Sequence, residues 1–487
     1  PVPCKSHLGV FNTLTTELAR KGHELVVISP FPPPNFPTNY TNIDIMPTIQ
    51  EYYIENMELD LYQYTHPLHF PLFYWTRSLK LIRLIFSDPE VLALLHDQRG
   101  FDLVICEDLV TESLCSFADY FKAPRVMMSS IGGYHMVNYA VGNPLEPSFV
   151  PNVVLPYSHH MTFTQRLKNV LFTAFWDLGN ELFFLPQQEK IRQQIFGDNT
   201  STVWEQRDTA SLVLLNNHFS LNYPRPLLPS VIEVGGFHVK RKNDPLPTDI
   251  QSFLDGATEG VIYFSMGSNL RSSAMSETKM KSITSALAEL PQRVLMKWES
   301  DSLPNQPANV KLGKWLPQQD ILAHPNVKVF ITHGGLMSAQ EAAYHGVPVV
   351  GIPVFGDQEL NMRKAEIGGF GIMILLNNVS KTSITWAVKK AMNDPKIREE
   401  ADRRSAVFRD QPETPLDRAI FWVEYVIRHR GAPHLRSASV DLAWYQRQLL
   451  DVAAAIIVAA IAFVFSIREF IHFCRGPSDH ITAKKVQ

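Results

Sequence analysis

The 487-residue chain is 45% hydrophobic and 19% charged, which is too long for one ordinary core and implies two globular domains plus extras. A net charge of −3 with no basic surplus excludes an electrostatically driven nucleic-acid partner. The four cysteines (Cys4, Cys106, Cys115, Cys474) form no Cys-x-x-Cys pair, which excludes a disulfide framework and a cysteine zinc site; free thiols are expected over a Cys106–Cys115 bridge.

The chain opens at Pro1-Val2-Pro3-Cys4 without an apolar leader, and a signal segment and a first β-strand are expected upstream of this numbering. Residues 11–20 read as a short helix ended by Gly22, 24–29 as a buried strand and 30–37 as a proline-rich loop. Two further buried strands follow at 101–105 and 125–129, and such alternation with helices indicates an α/β fold with a parallel sheet. Residues 134–196 are helical and aromatic, with Phe163, Phe172, Phe175, Trp176, Phe183 and Phe184; most of these rings are expected in helix-packing core, a few along an acceptor pocket.

The polar segment 240–248, with Pro245 and Pro247, reads as an interdomain linker. It divides an acceptor domain, 1–239, from a donor domain with a return helix, 249–448. Beyond it the alternation restarts, with strands at 261–266, 293–298, 310–312, 327–332 and 347–352 and helices at 279–289 and 338–345. Thr414-Pro415-Leu416-Asp417 has the form of a helix start, with a capping threonine and proline at the first helical position.

Residues 449–467 are almost wholly apolar, and 19 residues of helix span roughly 28 Å, close to a hydrocarbon core. A transmembrane helix is expected there, followed by a cytosolic tail, 468–487. The terminal Lys484-Lys485-Val486-Gln487 resembles a dilysine endoplasmic-reticulum return signal. Asn-x-Ser/Thr sequons at Asn39, Asn199 and Asn378 are glycosylation candidates in a lumenal chain.

The chemistry concentrates after residue 260. A buried strand ends at His333, Gly334 and Gly335 permit close backbone approach, and Ser338 opens a helix whose positive end suits phosphate. Glu341, one turn further, can accept ribose hydroxyl bonds, and Asp357 with Gln358 follows the next strand in a position suited to sugar hydroxyls.

The run Phe330–Asn361 resembles the signature of the UDP-glycosyltransferase family, and its spelling is closest to animal, especially insect, members. The likeness extends through nearly the whole chain. Trp315-Leu316-Pro317-Gln318 resembles the uridine element, which implies stacking on uracil by Trp315 and a nucleoside contact by Gln318. Gly267-Ser268 resembles the diphosphate loop. The match implies that His333 and Ser338 hold phosphate oxygens. Met337 stands where many members have Asn and receives no polar role. Ser6-His7-Leu8 resembles the catalytic-histidine segment, and imidazole suits a general base. Its orienting acid is either Glu107, by count along the strand, or Asp108, by residue type; only one can face His7, because neighbours on an extended chain point to opposite sides.

No Asp-x-Asp occurs, so neither metal nor cofactor is expected beyond the UDP-sugar co-substrate. The resemblance implies two Rossmann-like domains facing across a cleft (GT-B) and inverting transfer of a hexose, glucose favoured, to a hydroxyl of a small lipophilic acceptor, in detoxification or in hormone or pigment conjugation. The alternative is a non-catalytic membrane-anchored carrier of lipophiles or nucleotide-sugars. An oxidoreductase would want Gly-x-Gly-x-x-Gly after a strand, which is not found. The expected site is the endoplasmic-reticulum membrane, single-pass type I, with the globular part lumenal; homo-oligomerisation is left open.

Overall fold

The computed structural model describes residues 3–58, 62, 66–107, 109, 112–133 and 135–476. Contacts divide the chain into two compact units, Pro1–Arg436 and Ser437–Gln487.

In the larger unit, strands β1 (Leu25–Ile28) and β2 (Tyr40–Ile43) form a parallel pair. Strands β3 (Val104–Glu107), β4 (Arg125–Ser129), β5 (Leu212–Leu215) and β6 (Val231–Glu233) form a parallel sheet in sequential order. Helix α1 (Lys5–Arg20) carries Val10, Leu14 and Leu18 into the core above Val126, Met128 and Leu212. It starts six residues before the expected position, which puts His7 in its first turn. Likewise β3 runs to Glu107, two residues past the expected strand end. Helix α2 (His69–Ile85), unforeseen from the sequence, packs beside helix α3 (Phe163–Gly179): Gly179 of α3 lies so close to Trp75 of α2 that a methyl group there would stand 2.0 Å from the indole.

The aromatic run does not behave as core throughout. Trp176 and Phe184 are buried, but Phe163, Phe175 and Phe183 are exposed, and none of the six lines the main cavity. A helix period gives one side of α3 to the interior, and here Asn169, Trp176 and Gly179 take it.

The second half of this unit has one six-stranded parallel sheet, ordered β12-β11-β10-β7-β8-β9. Its strands are β7 (Val261–Ser265), β8 (Arg293–Lys297), β9 (Val310–Gly313), β10 (Val327–Thr332), β11 (Val349–Gly351) and β12 (Gly371–Met373). Continuous apolar runs such as Val261-Ile262-Tyr263-Phe264 are buried on both faces, as helices covering both sides require. The chain lays β8 and β9 on one side of β7 and then β10 to β12 on the other. The order therefore reverses between β7 and β10, where Ser265 pairs with Thr332 and Thr332 with Gly351. A crevice opens outside the carboxyl ends of strands at such a reversal. Helix α4 (Gln318–Leu322) precedes β10, α5 (Leu336–His345) follows it, and α6 (Gln358–Ile367) follows β11.

The anticipated helix at Thr414 is α7 (Pro415–Arg428), with Thr414 accepting the Asp417 N–H. It does not stay with the second half: Ile420, Val423 and Val426 join the core of α1 and β4, and His23 lies 3.2 Å from Glu424.

The smaller unit contains helix α8 (Leu450–Arg475), 26 residues with an 18-residue window of mean hydropathy 2.6, long and apolar enough to cross a membrane. It continues beyond the expected end at Ile467 through Arg468 and Glu469. Lys484 and Lys485 lie outside the described residues.

Candidate active site

A cavity of about 810 Å³ joins the two halves of the larger unit. The sequence-predicted residues His7, Gly267, Ser268, Trp315, Gln318, His333, Gly335, Ser338, Glu341, Asp357 and Gln358 all line it. Glu107 lies one layer behind, and Asp108 falls outside the described residues.

His7 enters from the first turn of α1 and Glu107 from the last residue of β3, so two elements far apart in sequence meet at one point. His7 Nδ1 stands 2.7 Å from Glu107 Oε1, and both groups are buried. Burial pushes the Glu107 carboxyl up, but the charge and hydrogen bond of His7, with a hydrogen bond from Ser130, outweigh it and hold it below the usual carboxylate range. Glu107 is thus ionised at neutral pH and orients Nδ1–H, which leaves Nε2 as the basic nitrogen.

His333 follows β10, and its ring is held between two glycines. A methyl group on Gly267 would lie 2.5 Å from Cε1, and one on Gly335 2.5 Å from Nε2. The sequence reading gave Gly335 to backbone approach and Gly267 to a diphosphate loop; in the fold, both make room for an imidazole. Gly334, at φ +84°, does not line the cavity: it sits against Met362 of α6, and its carbonyl accepts from Asn361 at 3.1 Å. Burial, then the nearby Lys297, pushes His333 down to about 4, so it is neutral at physiological pH. The fixed positive charge at this end of the cavity belongs instead to Lys297, last residue of β8, whose ammonium is 2.9 Å from Glu299. Lys297 escaped the sequence reading, although a polar residue ending a strand of a doubly wound sheet is a recognisable signal.

Gln318, Ser338 and Glu341 form one network. Gln318 Nε2 donates to Ser338 Oγ at 3.0 Å and to Glu341 Oε2 at 2.5 Å, while its oxygen accepts from Tyr263 at 3.2 Å. Gln319 holds the other Glu341 oxygen at 3.1 Å. Trp315 is 64% exposed, with its ring open to the cavity and Lys5 Nζ 5.2 Å from its centroid. Asp357 accepts from Asn361 at 2.8 Å, and burial raises its carboxyl above the ordinary value. Gln358 gives its oxygen to the Val354 and Phe355 N–H groups, bracing the loop that presents Asp357. Near His7 the wall is apolar, with Phe70, Tyr74, Ile131 and Phe355. Met337 lines the cavity and packs on the core of the first half.

The sequons differ in setting. Asn199 and Asn378 are exposed, whereas the Asn39 amide donates to the Ala19 and His23 carbonyls at 2.8 and 2.7 Å, closing the end of α1. No disulfide joins the four cysteines among the described residues.

The family model described as "UDP-glucoronosyl and UDP-glucosyl transferase" matches residues 4–482. The chain is 37% identical over 475 residues to UDP-glycosyltransferase UGT5 of Dactylopius coccus, covering 96% of this chain and 89% of that protein. It is 34% identical over 492 residues to UDP-glucuronosyltransferase 2B7 of Homo sapiens, covering 96% and 91%. In fold it is similar to the glycotransferase of kitacinnamycin, with TM-score 0.55, 16% identity and coverage of 87% and 96%. The fold is GT-B, and the carrier alternative is set aside because the relatives across nearly the full length are transferases. A cleft between two parallel sheets, a nucleotide-type crevice in the second and a matching family over nearly every residue have one explanation: this chain belongs to the UDP-glycosyltransferase family, enzymes that transfer sugar from UDP-sugars.

Proposed function

We propose that the enzyme transfers a hexose, with glucose favoured, from UDP-sugar to a hydroxyl of a small lipophilic acceptor, inverting the anomeric centre. The observation that carries this reading is that a buried His–carboxylate pair from one half and the nucleotide-type crevice of the other line or flank a single cavity beside an apolar wall. His7 Nε2 takes the acceptor proton, the freed oxygen attacks the anomeric carbon, and UDP leaves. Trp315 stacks on uracil, Gln318 and Glu341 meet the nucleoside, and Asp357 with Gln358 meets the sugar. The leaving diphosphate is met by Ser338, the amino end of α5, neutral His333 and Lys297, without a metal or cofactor in this reading. The wall of Phe70, Tyr74, Ile131 and Phe355 suits an aromatic or alicyclic acceptor.

Helix α8 anchors the chain as a single-pass span in the endoplasmic-reticulum membrane, with the larger unit lumenal; the apolar length of α8, the Lys484-Lys485 pair beyond it and the exposed sequons Asn199 and Asn378 support this placement. The preference for glucose rests on the insect-like spelling of the signature. A panel of UDP-glucose, UDP-glucuronate and UDP-N-acetylglucosamine with a generic phenol, scored for UDP release, tests the reading. Greatest turnover is expected with UDP-glucose; release only from UDP-glucuronate overturns the sugar assignment, and release from none overturns the acceptor class.

A further inference from the structure

We propose that Ser130 is a positioning residue for sugar transfer, a hydroxyl that fixes the tautomer and orientation of His7 by bonding to the imidazole and to Glu107 together; this rests on His7 being the base. Ser130 is the residue immediately after β4, and it is 1% exposed. Its Oγ lies 2.7 Å from His7 Nδ1 and donates a hydrogen bond to Glu107 Oε1. The backbone that carries it is pinned: Asn216 Nδ2 donates to the Ser130 carbonyl at 2.8 Å, and Ser129 Oγ to the Ile131 carbonyl at 3.0 Å. Ser130 does not line the cavity, whereas His7 does, so its hydroxyl acts through the imidazole and not on substrate.

Three heavy atoms, Nδ1, Oγ and Oε1, contact one another pairwise, and the carboxylate oxygen can only accept. The serine proton goes to Glu107, which turns the Oγ lone pairs toward Nδ1. Nδ1 then faces two acceptors and must carry hydrogen, and the proton-free nitrogen is Nε2, the one needed as base. The opposite tautomer would set the Nδ1 lone pair against the carboxylate. Glu107 alone could hold the ring through one bond, about which the imidazole can still swing. A second acceptor beside the first removes that freedom, and catalytic geometry is sensitive to small misplacements.

The test compares Ser130→Ala and Ser130→Thr in the full-length membrane-bound enzyme, each in the native and His7→Ala backgrounds, with unfolding midpoint and UDP affinity measured alongside. Ser130→Ala is expected to lower kcat about tenfold with donor KM within about twofold of native, the size of one lost hydrogen bond in a catalytic pair. Ser130→Thr, which keeps a hydroxyl, is expected to restore most of the rate. In the His7→Ala background, Ser130→Ala should cost nothing more, because the hydroxyl has no imidazole left to hold. Native kcat in Ser130→Ala overturns the proposal while leaving His7 as base. The same fold loss in both backgrounds overturns it in favour of a purely structural serine. Near-native turnover in His7→Ala alone overturns the base assignment and this proposal with it.

Discussion

At the scale of single residues, the two proposed jobs fall to different halves of the larger unit. His7 and Glu107 stand 2.7 Å apart in the first half, and every residue proposed to meet the nucleotide lines the cavity from the second. His7→Ala is therefore expected to cut kcat by about 10² to 10⁴, the usual worth of general-base catalysis, with UDP-sugar affinity nearly unchanged. Trp315→Ala should do the opposite, weakening donor binding through lost stacking. Donor titration by calorimetry beside initial rates checks both; equal loss of affinity in the two variants would deny the division. The two glycines around His333 make a further case. A methyl group at Gly335 would stand 2.5 Å from the ring, so the imidazole or the start of α5 must shift to admit it. Gly335→Ala is expected to weaken UDP binding at least about tenfold with the fold retained, since packing strain of this kind costs about 1–3 kcal/mol. UDP affinity like that of the native enzyme would show that the ring has space to move.

At the scale of elements, the amino end of α1 and the last residue of β3 are placed by packing that short-range patterns do not encode. Residues 5–10 carry too little apolar periodicity to announce a helix, yet α1 starts at Lys5 because its later turns are buried against β4 and α7. The 3₁₀ turn after β3, Glu112–Cys115, holds a second carboxylate with a different environment. Burial pushes Glu112 up from 4.5 to about 7. The fold holds this proton more tightly than the unfolded chain does. Its contribution to stability is therefore full below about 4.5 and is lost as pH rises toward and through about 7. Glu112→Gln, which cannot ionise and can still accept from Gln188, should stabilise the protein by about 1–3 kcal/mol at pH 8. The gain should shrink as pH falls through about 7 and be nearly gone by about pH 4, where both states approach their protonated forms. Unfolding measured at the two pH values checks this; a gain of equal size at both would assign it to packing.

At the scale of the whole molecule, both halves of the larger unit contribute to one cavity, and the chain sends α7 back from the second half to pack on α1. The expected donor domain, 249–448, carried a return helix, and α7 is the helix that runs back to the first half. For the smaller unit, the proposed placement in the endoplasmic reticulum predicts that retention depends on the Lys484-Lys485 pair beyond the 26-residue α8. Replacing both lysines with Ser should let the protein move onward, followed by maturation of any glycans at Asn199 and Asn378. Equal residence of both forms would deny a role to the lysines.

Much of the second half was legible in the sequence because its signals are local. A strand buried on both faces spells itself in consecutive apolar residues, and the loops that follow such strands carry their polar residues within a few positions. Hence His333, Ser338, Glu341, Asp357 and Gln358 could be named from the residues themselves, and Trp315 and Gln318 from the family resemblance, before any fold was known. The first half was less legible. Helix α2 and strands β2, β5 and β6 went unforeseen, and the aromatic run around Phe163 and Phe183 points outward because only tertiary packing decides which side of a helix finds a core. The contact of Glu107 with His7 depends on where β3 ends and α1 begins, a matter of two residues at the strand and six at the helix that patterning does not resolve. Ser130 left no local mark at all: its neighbours in space are 123 and 23 positions away, and a single buried hydroxyl acquires meaning only when the sheet brings it between an imidazole and a carboxylate.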